Sequence, residues 1–307
     1  MKKAFLQIHL AVLLWGFTGV LGRAISVGPM VLVWYRMLIT ALIIGIIISY
    51  RREWVKIDKE DRGRILGIGI MYAIHWVAFY AAIKFANASI GMVCLATSSL
   101  FTAILDPLMK RRRINRIELL LSLIAMGGVA CIYILQDDAK GEPMRKFELG
   151  IVLAVAAAII SAVFTVLNKP LAGKYQPRNL VFYEMSAGFL FLSLLAPFFL
   201  MLEPDAELLP QGLDYLWIFL LSYCCTVWGQ NLAMSALKKL SPFTITLSVN
   251  VEPIYGVLLA FLIYQENKQL GLGFYLGMTL IFISLALQVG TVMRRSRRVK
   301  QMRKLRA

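Results

Sequence analysis

Ten stretches of this chain are almost wholly apolar, and each is about as long as a bilayer is thick. They run over approximately 4–22, 29–50, 64–84, 88–109, 116–135, 147–168, 179–202, 213–237, 241–264 and 271–292. A helix needs roughly 20 mostly apolar residues to cross the hydrocarbon core. The runs lack the alternation of a barrel strand, so the predicted element is the helix, which satisfies its own backbone hydrogen bonds in lipid. Little chain is left over. The longest interior loop, near 51–63, is too short for a soluble domain.

Charge is confined to the segments between the runs. Only 16% of residues are charged and 59% are hydrophobic, where a soluble domain carries about 25% and about 45–50%. The net charge is +16, from 33 Lys and Arg against 17 Asp and Glu. On a soluble surface this would point to nucleic acid; here apolar runs separate the basic residues, so no nucleic-acid partner is expected. With the N-terminus in the cytoplasm and ten alternating spans, 26 of the 33 basic residues fall in cytoplasmic segments and six outside, with Arg36 inside a span. The positive-inside bias therefore predicts that both termini are cytoplasmic. Lys2-Lys3 and the following run could pass for a signal peptide. However, no small-residue cleavage site ends it and Arg23 follows directly, so it is read as a retained span. Cys94, Cys131, Cys224 and Cys225 lie inside apolar runs, with no CxxC or Cys/His metal spacing. They read as small buried hydrophobes, with no metal or cofactor implied.

The chain also repeats itself. Val33-Trp34-Tyr35-Arg36-Met37 in span 2 aligns with Val181-Phe182-Tyr183-Glu184-Met185 in span 7, and Leu10-Ala11-Val12 with Leu153-Ala154-Val155. Spans 4 and 9 correspond at an offset of 154, which pairs Ala82 with Ala236, Lys84 with Lys238 and Ser98 with Glu252. Five spans per half is an odd number, so the second half enters the membrane from the opposite side. The expected fold is all-α and polytopic, with ten transmembrane helices in two inverted repeats, 1–140 and 141–293. A basic cytoplasmic tail, 294–307, follows and can touch anionic headgroups. Inverted repeats mark secondary transporters, whose substrate sites lie near the midplane between the halves.

Ionisable groups inside a span are expensive and need a reason. Glu252 lies halfway along span 9, on one stripe with Thr244 and Ser248, and Pro253 follows it. Two readings stand side by side: a carboxylate that binds a proton or cation reversibly, and a helix-to-helix hydrogen-bonding residue. Asp106, four residues before Lys110-Arg111-Arg112-Arg113, reads as a structural partner of that cluster. Arg36 and Glu184 are repeat equivalents of opposite charge, but inversion puts them at opposite faces. Each is expected to serve a structural or gating role with local partners. His75 sits among Tyr72, Trp76, Phe79 and Tyr80 at helical spacing; a hydrogen-bonded packing role is weighed above proton carriage. Polar stripes add Ser161, Thr165 and Asn168 on span 6, and Tyr223, Thr226 and Gln230 on span 8 beside Asn231. Cys94, Ser98 and Thr102 form a further stripe on span 4. Such groups commonly join membrane helices at about 0.6 kcal/mol each. Their concentration is also what a central cavity needs, with Trp15 and Thr18 closing it. The candidate cavity set is Glu252, Asn231, Gln230, Ser98, Asn168, His75, Trp15, Thr18 and Ser248.

The chain resembles the drug/metabolite transporter superfamily and, within it, the EamA-type exporters. The residues that carry the likeness are Leu14-Trp15-Gly16, Tyr35-Arg36, Glu252-Pro253-Ile254-Tyr255-Gly256 through Tyr264-Gln265-Glu266, and Gly271. Ser99 and Arg112 depart from it, standing where the second half has Pro253 and Glu266. The resemblance implies alternating-access movement of small organic solutes, often export of amino acids or related metabolites, with proton coupling or exchange. The expected setting is the bacterial inner (plasma) membrane, with a small-molecule substrate, the lipid bilayer and a proton as partners. Nucleotide-sugar or organophosphate exchange is the rival within this class. From other classes, a scaffold or lipid-handling protein leaves the polar stripes unexplained. An enzyme is not expected, since HExxH, GxSxG and paired carboxylates on one helix are all absent.

Overall fold

The computed structural model describes residues 2–135, 144–249, 251–268 and 270–305. Lys140 and the side chains of Arg145 and the basic tail, which entered the topology count, lie outside the described residues. Every apolar run of the sequence is helical. In chain order the helices are α1 (Lys2–Ala24), α2 (Pro29–Arg51), α3 (Lys59–Phe85), α4 (Ala88–Leu95), α5 (Ser98–Met109), α6 (Arg116–Ile134), α7 (Met144–Lys174) and α8 (Pro177–Leu202). There follow α9 (Asp214–Leu220), a π-helical segment (Leu221–Trp228), α10 (Gly229–Leu237), α11 (Pro242–Val249), α12 (Glu252–Tyr264) and α13 (Leu272–Leu305). Proline opens α2 and α8, at positions whose backbone N–H would be unpaired in any case.

Among the described residues, seven helical stretches are long and apolar enough to cross a membrane. The chain is thus a multi-pass integral membrane protein. Its outward faces agree: Leu194 and Leu262 are 80% and 79% exposed, which is unfavourable in water at about 25 cal/mol per Å² and unremarkable in lipid. Three of the ten runs differ from the seven. The sixth helix has a shorter apolar stretch, Leu119–Ile132; α13 is apolar over Leu272–Ser284 and then enters the basic tail; and the run at 213–237 is interrupted by its π-helical turn.

Runs 88–109 and 241–264, expected as continuous, are each two helices. The breaks match. Helices α4 and α5 begin at 88 and 98, and α11 and α12 begin at 242 and 252, an offset of 154 in both cases. The residue before each first piece caps it: Asn87 Oδ1 accepts the Ile90 N–H at 2.8 Å, and Ser241 Oγ accepts the Thr244 N–H at 3.1 Å. The residue that closes each second piece is left-handed at the same offset, Arg111 at φ 50° and Gln265 at φ 52°. Pro253 therefore falls in the first turn of α12 and removes no bond from a helix interior.

Polar contacts sort the connections into two ends of the bundle. At one end Lys84 donates to the Ile25 carbonyl, the Ser26 N–H donates to Asp214 Oδ1 at 3.0 Å, and Arg23 pairs with Glu266. At the other, Lys174 pairs with Asp58 and Asp61 at 2.6 Å each, Arg178 pairs with Glu53 at 2.6 Å, and Lys169 donates to the Leu240 carbonyl at 2.7 Å. Between the ends, α3 lies against α7 and α8, α1 against α10 and α12, and α13 along α6.

Candidate functional site

A cavity of about 80 Å³ lies in the middle of the bundle. By volume it has room for several waters, at about 10–15 Å³ each. Helices α1, α2, α3, α7, α10, α11 and α12 all reach it. From Arg36 and Glu252 it extends toward Leu237 and Ile245, at the end that carries Lys169 and Lys174.

Glu252 is the first residue of α12 and is 5% exposed. The break in run 241–264 brings its side chain to the cavity at a helix start. Thr18 Oγ1 lies 3.4 Å from Glu252 Oε1 and donates more closely, at 2.6 Å, to the Trp15 carbonyl. Trp15 in turn donates its indole N–H to the Cys225 carbonyl at 2.8 Å. That contact requires glycine at 229: a Cβ there would stand 2.6 Å from Trp15 Nε1.

Arg36 is 2% exposed and lines the same cavity. Its Nε donates to Thr226 Oγ1 at 2.8 Å and its Nη1 to Tyr80 Oη at 2.6 Å, while its Cζ sits 3.8 Å above the Trp76 ring. Thr226 belongs to the π-helical segment and donates its own hydroxyl hydrogen to the Leu221 carbonyl, five residues back, at 3.0 Å. The widened turn thus leaves the Thr226 oxygen free to accept from Arg36. Such turns recur at functional sites.

His75 donates from Nδ1 to the Ala157 carbonyl at 2.8 Å, because a carbonyl can only accept; Phe79 stacks parallel to it and Phe164 meets it edge-on. Asn168 and Gln230 also line the cavity, as do Ser161 and Thr165, and Tyr72 Oη lies 3.4 Å from Gln230 Oε1.

The family model described as the EamA-like transporter family matches residues 2–134 and again 148–290. The chain belongs to the EamA-like transporter family. Two relatives from Archaeoglobus fulgidus, each named an uncharacterized transporter, are similar to this EamA-like chain. One is 24% identical over 191 residues, 61% of this chain and 64% of its own length. The chain thus spans slightly under two thirds of that relative. The other is 22% identical over 281 residues, 87% of this chain and 91% of its own length. A solved protein crystal structure superposes with a TM-score of 0.70 over 96% of this chain and 99% of that one, at 17% identity, which is a likeness of fold alone.

Not every residue expected at the EamA-like cavity lies there. Glu252, Gln230, Asn168, His75, Trp15 and Thr18 do. Asn231 lines a separate outward cleft with Trp228 and Ser235, and its Nδ2 donates to the Val227 carbonyl at 2.6 Å; adjacency to Gln230 on a helix turns it to another face. Ser248 bonds the Thr244 carbonyl of its own helix at 2.9 Å. Ser98 is fully buried at the start of α5, and its hydroxyl makes no hydrogen bond among the described residues. Glu184 is fully buried one step behind the cavity, beside the Asn168 side chain. Arg36 and Glu184 form no ion pair among the described residues. Asp106 pairs with Lys110 at 2.5 Å.

Two buried acids went unweighed in the sequence. Glu266 is fully buried, pairs with Arg23, and accepts from the Ala88 N–H at 3.3 Å, the Ser89 N–H at 3.0 Å and the Ser89 hydroxyl. Asp214 receives the Ser26 backbone. Both stand beside loops, where hydropathy draws no attention to them. The only signal in the sequence was the Glu266 position in the family-like segment.

Proposed function

We propose that this EamA-like chain is a secondary transporter that moves small, amino-acid-like organic solutes by alternating access, as an exporter in the plasma membrane. The observation that carries the reading is one buried cavity that holds both Arg36 and Glu252, at the point where a broken helix begins. Broken helices in corresponding positions of two halves are the structural pointer to a transporter's binding site. The matched helix starts at 88 and 98 and at 242 and 252, and the family model matching twice, support ten spans in two five-helix repeats, 1–140 and 141–293, of inverted orientation. The basic end then faces the cytoplasm and the Glu266 end faces out, with both termini inside.

In this reading Glu252 is the group that responds to a proton or to the substrate, and Gln230, Asn168, His75, Trp15 and Thr18 contact the solute. Rocking of the halves closes the cavity at one end and opens it at the other. Organophosphate exchange is the weaker rival: Arg36 is the single Lys or Arg among the described cavity residues, and a carboxylate shares the space. The test compares metabolites of cells lacking and overproducing the protein, then measures flux in proteoliposomes with and without a pH gradient. Glu252→Gln is expected to reach the membrane at normal levels and to lose most of the gradient-driven flux. Wild-type flux in that variant would remove Glu252 from the mechanism.

A further inference from the structure

We infer that Arg36 is the substrate's anchor, holding a single carboxylate end-on through Nη1 and Nη2, and is not a gating or purely structural charge. This rests on the transport reading above and names the ligand chemistry of the same site.

A guanidinium has five N–H donors and no acceptor. Among the described residues two of the five are used, Nε by Thr226 and one Nη1 hydrogen by Tyr80. The remaining three are the second Nη1 hydrogen and both on Nη2. One hydrogen on each of two adjacent nitrogens is the fork that a carboxylate takes bidentately. The partners already present are neutral: a hydroxyl, a phenol and the face of Trp76. They fix the plane and direction of the guanidinium without neutralising it. A charge so deeply buried among apolar helices ordinarily meets an opposite charge. No carboxylate lies within ion-pair distance of Arg36 among the described residues, yet Arg36 lines the cavity. An arriving carboxylate would supply a directly paired charge and the missing acceptors.

The same geometry selects the class. One cation faces the cavity and Glu252 faces it too. A monoanion is neutralised by Arg36, whereas a phosphate dianion would leave excess negative charge beside Glu252. A carboxylate that also carries an ammonium group suits both poles, since the Glu252 carboxylate favours a cation. The ligand is therefore a monocarboxylate zwitterion, with its carboxylate at Arg36.

The test uses the full-length purified chain in proteoliposomes. Probes are neutral amino acids, their methyl esters and amides, the corresponding decarboxylated amines, and O-phosphoethanolamine as a phosphomonoester. Tracer counterflow is expected to fall at least tenfold when the carboxylate is esterified, amidated or removed. Arg36→Lys keeps the charge but not the fork, and is expected to raise KM for the acid at least tenfold with a smaller change in maximal rate. Arg36→Gln is expected to lose the preference for acid over ester. Should the Gln variant not fold, the acid–ester comparison on the wild type and the Lys variant decide. Equal flux of acid and ester in the wild type overturns the anchor and leaves transport standing. So does an unchanged KM in Arg36→Lys, or preference for the phosphomonoester. No flux of any probe in the wild type overturns the transport reading, and the anchor with it.

Discussion

At the residue scale, the site depends on side chains that hold one another rather than on any one charge. Arg36 keeps its aim because Thr226 accepts from Nε, and Thr226 can do so because it sits in the widened π-helical turn. Thr226→Val leaves that buried donor without its acceptor, an expense of about 1–3 kcal/mol. It is expected to lower the thermal midpoint of the purified protein clearly more than Ser248→Ala, since Ser248 bonds only its own helix. Equal shifts in the two variants would mean that the Thr226 bond orients nothing. Gly229→Ala acts on the other wall. Its methyl group would overlap the Trp15 indole, which then gives up the Cys225 carbonyl. The expected outcome is a changed Trp fluorescence and reduced flux with normal insertion.

At the element scale, the broken helices are built as caps and stops. Asn87 and Ser241 begin their helices by the same bond, and Arg111 and Gln265 end the following ones in the same left-handed conformation. Removing a cap costs about 1 kcal/mol, so Asn87→Ala and Ser241→Ala are expected to destabilise by similar amounts. Faster hydrogen exchange should appear locally, at 88–91 in one variant and at 242–245 in the other. Exchange that rises across the whole bundle would show that the breaks are not set by their caps. The crossing of α6 and α13 is equally specific. A Cβ at Gly277 would run into the Gly128 carbonyl and Ile132. Gly277→Leu is expected to cost more than the about 1–3 kcal/mol usual for overpacking, because the obstacle is backbone.

At the scale of the whole molecule, the two ends behave as opposite ties. Glu266 gathers Arg23 from α1 and the first N–H groups of α4, and so holds one end together, while the cavity reaches toward the other. In a cysteine-free background, Lys56→Cys is expected to react with an impermeant thiol reagent only from the cytoplasm and Lys268→Cys only from outside. Both residues are exposed, so reaction from the same side would discard the alternating ten-span topology. Glu266→Gln removes the charge that pairs Arg23 and is expected to raise labelling of cavity positions from the outer side.

Much of this was legible in the chain itself. Continuous apolar runs with charge between them dictate membrane helices, because lipid offers the backbone no other hydrogen-bond partner. The offset of 154 between spans 4 and 9 was readable, and so were Glu252, Gln230, Asn168, His75, Trp15 and Thr18 as polar residues in apolar surroundings. Periodicity says which residues share a face, but not which face meets which neighbour. That is why Asn231 and Ser248 were expected at the cavity and lie elsewhere, and why the breaks in two runs, apolar on both sides, left no mark in hydropathy. Only the tertiary structure brought Arg36 of α2, Thr226 of the π-helical turn and Tyr80 of α3 together, across 190 and 44 residues of sequence. Local sequence determined that these helices form and enter lipid; long-range packing decided which buried charges line the central cavity.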